Sequence, residues 1–577
     1  MKTKIIKAIS LILCAVLVAA SIPVAVFADD GALKFTVSSD THFYSNEDAG
    51  TLMDASENGL YAEGMLNSET YYHATFQGQM NHESKAIAIS MLDDFAKSDS
   101  DYLLIPGDLT CGKRNSHLEF AKLLKETKKK SGKKIYVING NHDCETENLD
   151  KYIDIDEFKK IYADFGFKEA IASDTSSASY AVDLSKEYRL LAVDSCIYGE
   201  DDGKISTETL DWVAEQAKKA QSEGKNVIAM MHHSLLPHFT VQPMIDNYSE
   251  IAEKIADMGI KLVFTGHIHA NDISMVNSKN GNTVYDIQTG SLITAPNAYR
   301  TVNITADEIK IESKYVTEID TQYLPEGYSE TQLQMIKSDF PSYAASYFEA
   351  GMCRWLNRYI GSAGKLGKTL KQTPGSFGYN LIDKIMKNIG EALILPIYDD
   401  GKTPDTVDSI EEIAALAGTE LPESNYERVY QLAAKFMGGF YHGDESETMR
   451  TVEFPLFYAC FKVVLVRALT NLTFTTYTAK ILNEVVGAIF GVKPYDKMLA
   501  DGTKLLNASE AVDMVLESVL YNVADGLVED LSEPADINIT IDSYGKNDTA
   551  NKEVQLSTFK KILFFLKNFV LYIFKAI

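Results

Sequence analysis

Cysteine is scarce in this chain. Of six in 577 residues, Cys14 lies in the leading apolar run, which leaves the odd set Cys111, Cys144, Cys196, Cys353 and Cys460. So few thiols in so long a chain do not make a disulfide scaffold, and free buried thiols are the expected state. Basic residues are also in deficit, with 55 Lys and Arg against 81 Asp and Glu and a formal charge of −26. That balance argues against a general basic surface, so no dedicated nucleic-acid-binding surface is expected. Low-complexity tracts and repeats of fixed period are missing too. With hydrophobic residues at 45% and charged residues at 24%, ordinary globular folding is expected throughout. The length exceeds what one core normally holds, so at least two domains are expected.

Residues 1–28 differ from the rest. Lys2, Lys4 and Lys7 precede an apolar run from Ile9 to Ala20, and Val26-Phe27-Ala28 offers a small-residue cleavage site. This is the pattern of a secretory signal peptide, and it places the mature chain outside the cytoplasm, secreted or in the cell envelope. Cys14 follows Leu13 inside the apolar run, which excludes a lipoprotein signal. Removing the three lysines and no acid takes the formal charge from −26 to −29.

From Leu33 to about Tyr315, short apolar or β-branched runs alternate with helix-period segments, the pattern of βα units around a largely parallel sheet core. Strands are expected over Leu33–Ser38, Tyr102–Ile105, Lys134–Ile138, Arg189–Val193, Asn226–Met231 and Lys261–Thr265. Helices are expected over Glu83–Lys97, Ser116–Lys130, Thr207–Ser222 and Ser249–Met258. After Asn271, runs around Thr283–Ile287, Thr301–Ile304 and Glu308–Ser313 look like antiparallel additions.

Polar residues gather at the carboxyl ends of these strands: Asp40-Thr41-His42, Gly107-Asp108, Gly140-Asn141-His142-Asp143, His232-His233 and Gly266-His267-Ile268-His269. In α/β sheets that edge collects ligands, and the glycines would let the chain turn sharply as it leaves the sheet. Singly, each signal reads as a turn, a loop or a core histidine. Turns alone, however, give no reason for histidines to recur along one sheet edge. Two metal ions held about 3.5 to 4 Å apart need a shared carboxylate, with terminal nitrogen and oxygen donors around it. Asp108 is the natural bridge. Carboxylates, an amide and imidazoles without thiolate favour Zn, Mn, Fe, Co or Ni, as divalent or trivalent ions, over a zinc finger or calcium.

The motifs DTH, GDLT, GNHD, MHHS and GHIH, in this order and spacing, resemble those of the calcineurin-like metallophosphoesterases, particularly secreted bacterial members. The resemblance covers about residues 33 to 315. It implies an α/β fold, a four-layer αββα sandwich of two sheets flanked by helices. It also implies that Asp40, His42 and His269 hold one metal and Asn141, His232 and His267 the other, with Asp108 between. Cys111 stands where the purple acid phosphatase branch has an iron-binding tyrosine, so the chain looks unlike that branch. The substrate is expected to be a phosphate ester, attacked by a metal-bridging hydroxide that coordination ionises near neutral pH. His142, next to ligand Asn141, is the candidate to protonate the leaving oxygen. Asp143 is expected to orient His142 or the loop. His232 and His233 point oppositely, so only His232 is expected on metal. Cys111 and Cys144 each follow a proposed ligand by three residues, the one pairing the spacing leaves open.

Other residues are less telling. His73 and His82 fall in the long segment from Asn46 to His82, which could form a lid, and both are read as structural. His117 is expected in the first turn of a helix and His238 in a loop. Tyr299 and Arg300 follow the run Tyr285–Pro296, which resembles the family's return to the site edge; Arg300 is expected to grip a second phosphate or to make a surface ion pair.

The domain plan is therefore a signal peptide over 1–28, the phosphoesterase-like domain over 29–320, a mainly α-helical domain over 321–532, a linker over 533–557 and a last segment over 558–577. The run Leu456–Phe474 is interrupted by Lys462 and Arg467 and reads as a buried helix. Lys560, Lys567 and Lys575 form a cationic stripe on an otherwise apolar final segment, which suits either an interfacial helix on an anionic membrane or packing on the helical domain. Two rivals accompany the phosphoric-ester hydrolase: a diesterase specifically, and a non-catalytic envelope-binding protein using the same fold as a platform.

Overall fold

The computed structural model describes residues 32–50, 78–238, 244–359, 371–393, 395–399, 401, 407–416, 420–443, 453–469, 479–484, 486, 493–501, 510–516 and 536–545. The proposed signal peptide, the segment 558–577 and His73 lie outside them.

The described strands are β1 (Leu33–Val37), β2 (Tyr102–Pro106), β3 (Lys134–Ile138), β4 (Ala172–Ser173), β5 (Tyr180–Asp183), β6 (Tyr188–Val193), β7 (Asn226–Met231), β8 (Ile260–Thr265), β9 (Asp272–Asn277), β10 (Thr283–Gln288), β11 (Ala298–Ile304), β12 (Glu308–Tyr315) and β13 (Asn538–Asp542). They form a six-stranded sheet in the order β13-β12-β11-β1-β2-β3 and a seven-stranded sheet in the order β4-β5-β6-β7-β8-β10-β9. The helices that cover them are α1 (Ser84–Lys97), α2 (Arg114–Ser131), α3 (Ile155–Ile161), α4 (Thr207–Ser222) and α5 (Tyr248–Asp257).

Continuous apolar runs explain the layering. Successive strand residues face opposite sides, so a strand buried on both faces must be apolar at every position. In β2, Leu104 points between the sheets, where it joins Phe35, Tyr136, Leu190, Ile228 and Phe264. Its neighbours Leu103 and Ile105 point outward, against Ile87, Met91 and Phe95 of α1 and Phe120 and Leu124 of α2. The second sheet repeats this arrangement, with Ala229 and Val263 facing Val213 and Ala217 of α4 and Ile251 and Ile255 of α5. The result is the four-layer αββα sandwich.

Three features differ from the sequence reading. First, β10 is not a purely antiparallel addition: it runs parallel to β8, with Tyr285 opposite Leu262, and antiparallel only to β9. The core is thus two mixed sheets. Second, the stretch expected as a linker supplies β13, which pairs with β12 in the register Ile309↔Ile541 and Ile311↔Ile539. Its two isoleucines complete the core between the sheets, which is why a segment so late in the chain returns to the first domain. Third, the boundary near residue 320 is not a break in packing. The next helices, α6 (Glu330–Ser338) and α7 (Phe340–Tyr359), bring Ile336, Phe340, Tyr343, Tyr347 and Phe348 into the apolar cluster outside the first sheet. The helical region is therefore an insertion between β12 and β13.

Further helices of the insertion include α8 (Phe377–Leu393), α9 (Ile410–Leu416), α10 (Val429–His442), α11 (Glu453–Leu469) and α12 (Asp496–Asp501). α11 carries most of the apolar run flagged above. It buries Leu456, Cys460, Val463 and Val464 against Ile410 and Leu432, and Lys462 pairs with Asp513 at 2.9 Å. Among the described residues no helix is long and apolar enough to cross a membrane. Cys111, Cys144, Cys196 and Cys460 carry free thiols.

Candidate metal centre

β1, β2 and β3 run parallel, as do β7 and β8, so their carboxyl ends open on one edge of the sandwich. Asp40 and His42 follow β1, Asp108 follows β2, Asn141 to Asp143 follow β3, His232 and His233 follow β7, and His267 and His269 follow β8. Backbone bonds stitch these loops together. Asp40 N donates to Gly107 O at 3.3 Å, His42 N to Asp108 O at 2.9 Å, and Gly266 N to His232 O at 3.0 Å.

The sharp turns are made largely by the proposed ligands themselves. Asp40 (φ 48°), His42 (φ 34°), Asp108 (φ 48°), His267 (φ 75°) and His269 (φ 65°) all lie in the left-handed region, which is uncommon for L residues and tends to cluster at functional sites. Of the three motif glycines, only Gly107 shares that conformation, at φ 93°. Gly140 serves another purpose, because a Cβ there would stand 2.1 Å from Asp108 Oδ1.

Two clusters of donor atoms result. In the first, His42 Nε2 lies 3.0 Å from His269 Nε2 and 3.9 Å from Asp40 Oδ1, while His269 Nε2 is 3.6 Å from the same oxygen. In the second, Asn141 Oδ1 is 2.9 Å from His232 Nε2 and 3.0 Å from His267 Nδ1, and those two nitrogens are 3.3 Å apart. Asp108 Oδ2 joins the clusters, 3.6 Å from His42 Nε2 and 3.3 Å from His232 Nε2.

These residues fit a pair of cations. Asp108 Oδ2 is buried without a hydrogen-bond partner, which is costly for a carboxylate oxygen unless a cation satisfies it. His232 Nδ1 lies 3.1 Å from the carbonyl of Pro106, which can only accept, so that nitrogen carries the proton and Nε2 turns its lone pair to the centre. Burial drives His42 and His267 well below the usual imidazole range and His269 down to about 4, which keeps all three in the neutral, ligating form. Burial opposes the charge on Asp108, but His232, His142 and His42 outweigh it and hold its carboxyl well below the usual range. His232 is depressed by burial too, yet Asp108 and Asp40 push it up to about 9. Proton and metal therefore compete for Nε2, and metal affinity is expected to weaken as pH falls.

The remaining candidates separate cleanly. His142 is exposed at the rim, its backbone N donates to Asp108 Oδ1 at 2.9 Å, and its ring stands 5.3 Å from that of His42. Asp143 is buried and accepts from the backbone of Leu109, Thr110 and Gly140 at 3.1, 3.0 and 2.9 Å, so it ties the second motif loop to the third. His233 points away from the metal ligands' donor atoms. Its Nδ1 meets Ser195 Oγ at 3.0 Å and its Nε2 the carbonyl of Asp201 at 3.2 Å, while its ring packs on His267.

Arg300 neither grips a phosphate nor forms a surface ion pair. Its side chain is fully buried, and its guanidinium donates to Ser313 Oγ and to the carbonyls of Gln288, Asp272 and Asp536. Those acceptors take up its whole donor fork, so it ties β11 to the residue that leads into β13.

Three described histidines outside the motifs have structural settings. His117, in the first turn of α2, lies 2.9 Å from Thr110 Oγ1 and 3.0 Å from the carbonyl of Asp143. His238 sits between Asp272 at 2.8 Å and Asp286 at 3.1 Å, and His82 is buried. One neighbour of the centre had no signal in the sequence. Gln79 Nε2 lies 3.5 Å from His269 Nδ1, but the residue belongs to no motif and stands 190 positions away.

The family model described as calcineurin-like phosphoesterase matches residues 33–271. The probable glycerophosphodiester phosphodiesterase GpdQ of Arcobacter nitrofigilis is 28% identical over 178 residues, 30% of this chain and 58% of its own length. This chain thus spans little more than half of that relative. The 3',5'-cyclic adenosine monophosphate phosphodiesterase CpdA of Haemophilus influenzae is 26% identical over 250 residues, 40% of this chain and 80% of its own. Among solved structures, a dimetal phosphatase from Danio rerio covers 50% of this chain and 97% of itself, with 11% identity and a TM-score of 0.35.

Proposed function

We propose that this chain, whose residues 33–271 belong to the calcineurin-like phosphoesterase family, hydrolyses phosphoric esters with the help of two metal ions. The observation that carries this reading is the buried Asp108 Oδ2 at the meeting point of two donor clusters, 3.6 Å from His42 Nε2 and 3.3 Å from His232 Nε2. Asp40, His42 and His269 would hold one ion and Asn141, His232 and His267 the other, with Asp108 shared. The donor set suits Mn, Fe, Zn, Co or Ni. Such ions supply Lewis acidity towards the phosphoryl oxygens and an acidified water as nucleophile.

The protein's own part is positioning and proton transfer. Asp108 Oδ1 fixes the backbone of His142, which leaves the imidazole at the open rim, within reach of a departing oxygen. His142 acts as general acid. His142→Ala is expected to lower kcat about 10²-fold on an alkyl ester, and less on a p-nitrophenyl ester whose leaving group needs no proton, with metal content unchanged. An equal loss on both esters would remove the proton-transfer role.

A diester is the favoured substrate class, because both curated relatives bear the names of phosphodiesterases. Purified protein restored with each of several metals should cleave bis(p-nitrophenyl) phosphate faster than p-nitrophenyl phosphate. The reverse order would point to a monoesterase, and activity on neither would revive the non-catalytic binding protein.

We place the mature protein outside the cytoplasm, on the signal-like residues 1–28. Its last segment, 558–577, is proposed to lie on an anionic membrane surface. β13 runs away from the metal edge, and Tyr544 OH donates to the carbonyl of Val227 near the start of β7, at the opposite end of the sandwich. The last described residue, Gly545, therefore lies at the end of the sandwich away from the metal edge. Cell fractionation with and without residues 558–577 tests this, since a protein that stays soluble in both forms has no anchor.

A further inference from the structure

The helical insertion has no catalytic motif, yet it meets the phosphoesterase domain on both sides of His269. On one side, a Cβ on Gly78 would stand 2.6 Å from Phe348 Cα and 3.1 Å from its ring carbon Cδ2, so both the backbone of α7 and the Phe348 ring press on the residue before Gln79. Phe348 is held from behind by Tyr441 of α10, ring to ring at 4.9 Å. The same strap is fixed to the core, where Met80 N donates to Ile293 O at 2.8 Å. On the other side, Gly443 ends α10 with φ 78°, and a Cβ there would lie 2.3 Å from the carbonyl of Asn271, two residues beyond His269.

Between these contacts Gln79 reaches His269. The Nε2 atom of His269 faces Asp40 Oδ1 at 3.6 Å and His42 Nε2 at 3.0 Å, so it is the metal-facing nitrogen. Its Nδ1 must then carry the proton and calls for an acceptor, as ligating histidines generally do. The Gln79 amide lies 3.5 Å from that nitrogen, and turning it by half a revolution presents Oε1 in place of Nε2. Amide nitrogen and oxygen occupy nearly the same space, so the turn leaves the packing volume of the side chain unchanged.

We propose that the helical insertion is a buttress for the first metal: α7, backed by α10, pins Gly78 so that Gln79 accepts from His269 Nδ1 and fixes that ring on its ion. Gln79 is a positioning residue, and the insertion acts through it. This inference rests on the two-metal reading above.

Metal content and the affinity of each site are measured on the full chain, with kcat and KM on bis(p-nitrophenyl) phosphate. Gln79→Ala should weaken one of the two sites about 10- to 100-fold and leave the other unchanged. Gln79→Glu, which keeps an acceptor, should restore it. Phe348→Ala should show the same one-site loss, and the double variant Gln79→Ala/Phe348→Ala should lose no more than either alone, because both changes break one coupling. Should Phe348→Ala not fold, Tyr441→Leu, one layer further back, makes the same measurement. Unchanged affinities in Gln79→Ala, or an equal loss at both sites, overturn the role of Gln79. A lowered Tm in Phe348→Ala with both affinities intact overturns the buttress. A wild-type chain that binds fewer than two ions defeats the two-metal reading itself, and is seen before any variant is made.

Discussion

Asp108→Ala is expected to reduce kcat/KM by at least about 10³-fold and to bring metal content below two ions per chain. The size of the effect follows from how many tasks converge on one side chain. Oδ2 faces both donor clusters, 3.6 Å from His42 and 3.3 Å from His232, while Oδ1 holds the backbone of His142 at 2.9 Å. Removing it takes away the shared anion between two like charges about 3.5 to 4 Å apart, whose repulsion in a poorly solvated site amounts to several kcal/mol. It also frees the loop that carries Asn141 and His142. Stability without metal should fall as well. Burial together with the neighbouring Asp108 raises Asp40 to about 7, so the two carboxylates oppose each other, but His232, His142 and His42 still hold the Asp108 carboxyl well below the usual range, which means that its charge stabilises the fold at neutral pH. Deleting it leaves the buried His232 without its main counter-charge, so the metal-stripped variant should unfold at a lower temperature than the stripped parent. Metal analysis, steady-state kinetics and thermal unfolding on one preparation decide the matter. Normal turnover by Asp108→Ala would end the assignment of this edge as the active centre.

The parts of the molecule legible in the sequence are those whose signals are local. β3 and β7 each start one polar residue before their apolar run, at Lys134 and Asn226, and end with it, because the stretch buried on both faces is apolar at every position and its edges are abrupt. The proposed ligands were legible because each stands one to five residues past such a run. Pairing over long distances was not. Ile539 and Ile541 alternate with Asn538, Thr540 and Asp542 as an edge strand should, but five residues more than two hundred positions from β12 carry no local mark of their partner. Arg300 misled for a related reason. An arginine beside a site reads as an anion grip, and only the fold shows that four protein acceptors already surround it. Gln79 is the extreme case, since nothing distinguishes its amide until the fold lays it beside His269.

The same distinction between local and distant causes gives Gly140→Ala its expected outcome: a fall in kcat/KM of about 10²-fold or more, with loss of bound metal. The motif spacing suggested that Gly140 lets the chain turn, but its backbone is not in the left-handed region, so alanine meets no conformational penalty of its own. The obstacle is spatial. A Cβ would lie 2.1 Å from Asp108 Oδ1 and 2.3 Å from Asp108 N, far inside any van der Waals contact. The second of these atoms is backbone, so no rotamer change relieves it, and one motif loop must move away from the other by about 1 Å, the order of displacement that costs 10²-fold when it misplaces reacting groups. Gly224→Ala supplies the comparison. Gly224 does sit at φ 75°, with nothing within 4 Å of its added Cβ, so alanine there should destabilise the fold by about 1 kcal/mol and leave turnover intact. The two variants therefore separate strain from collision: one loses a little stability and no activity, the other loses activity through Asp108. If Gly140→Ala matched Gly224→Ala in turnover and metal content, the close approach of the two motif loops would not be what shapes the centre.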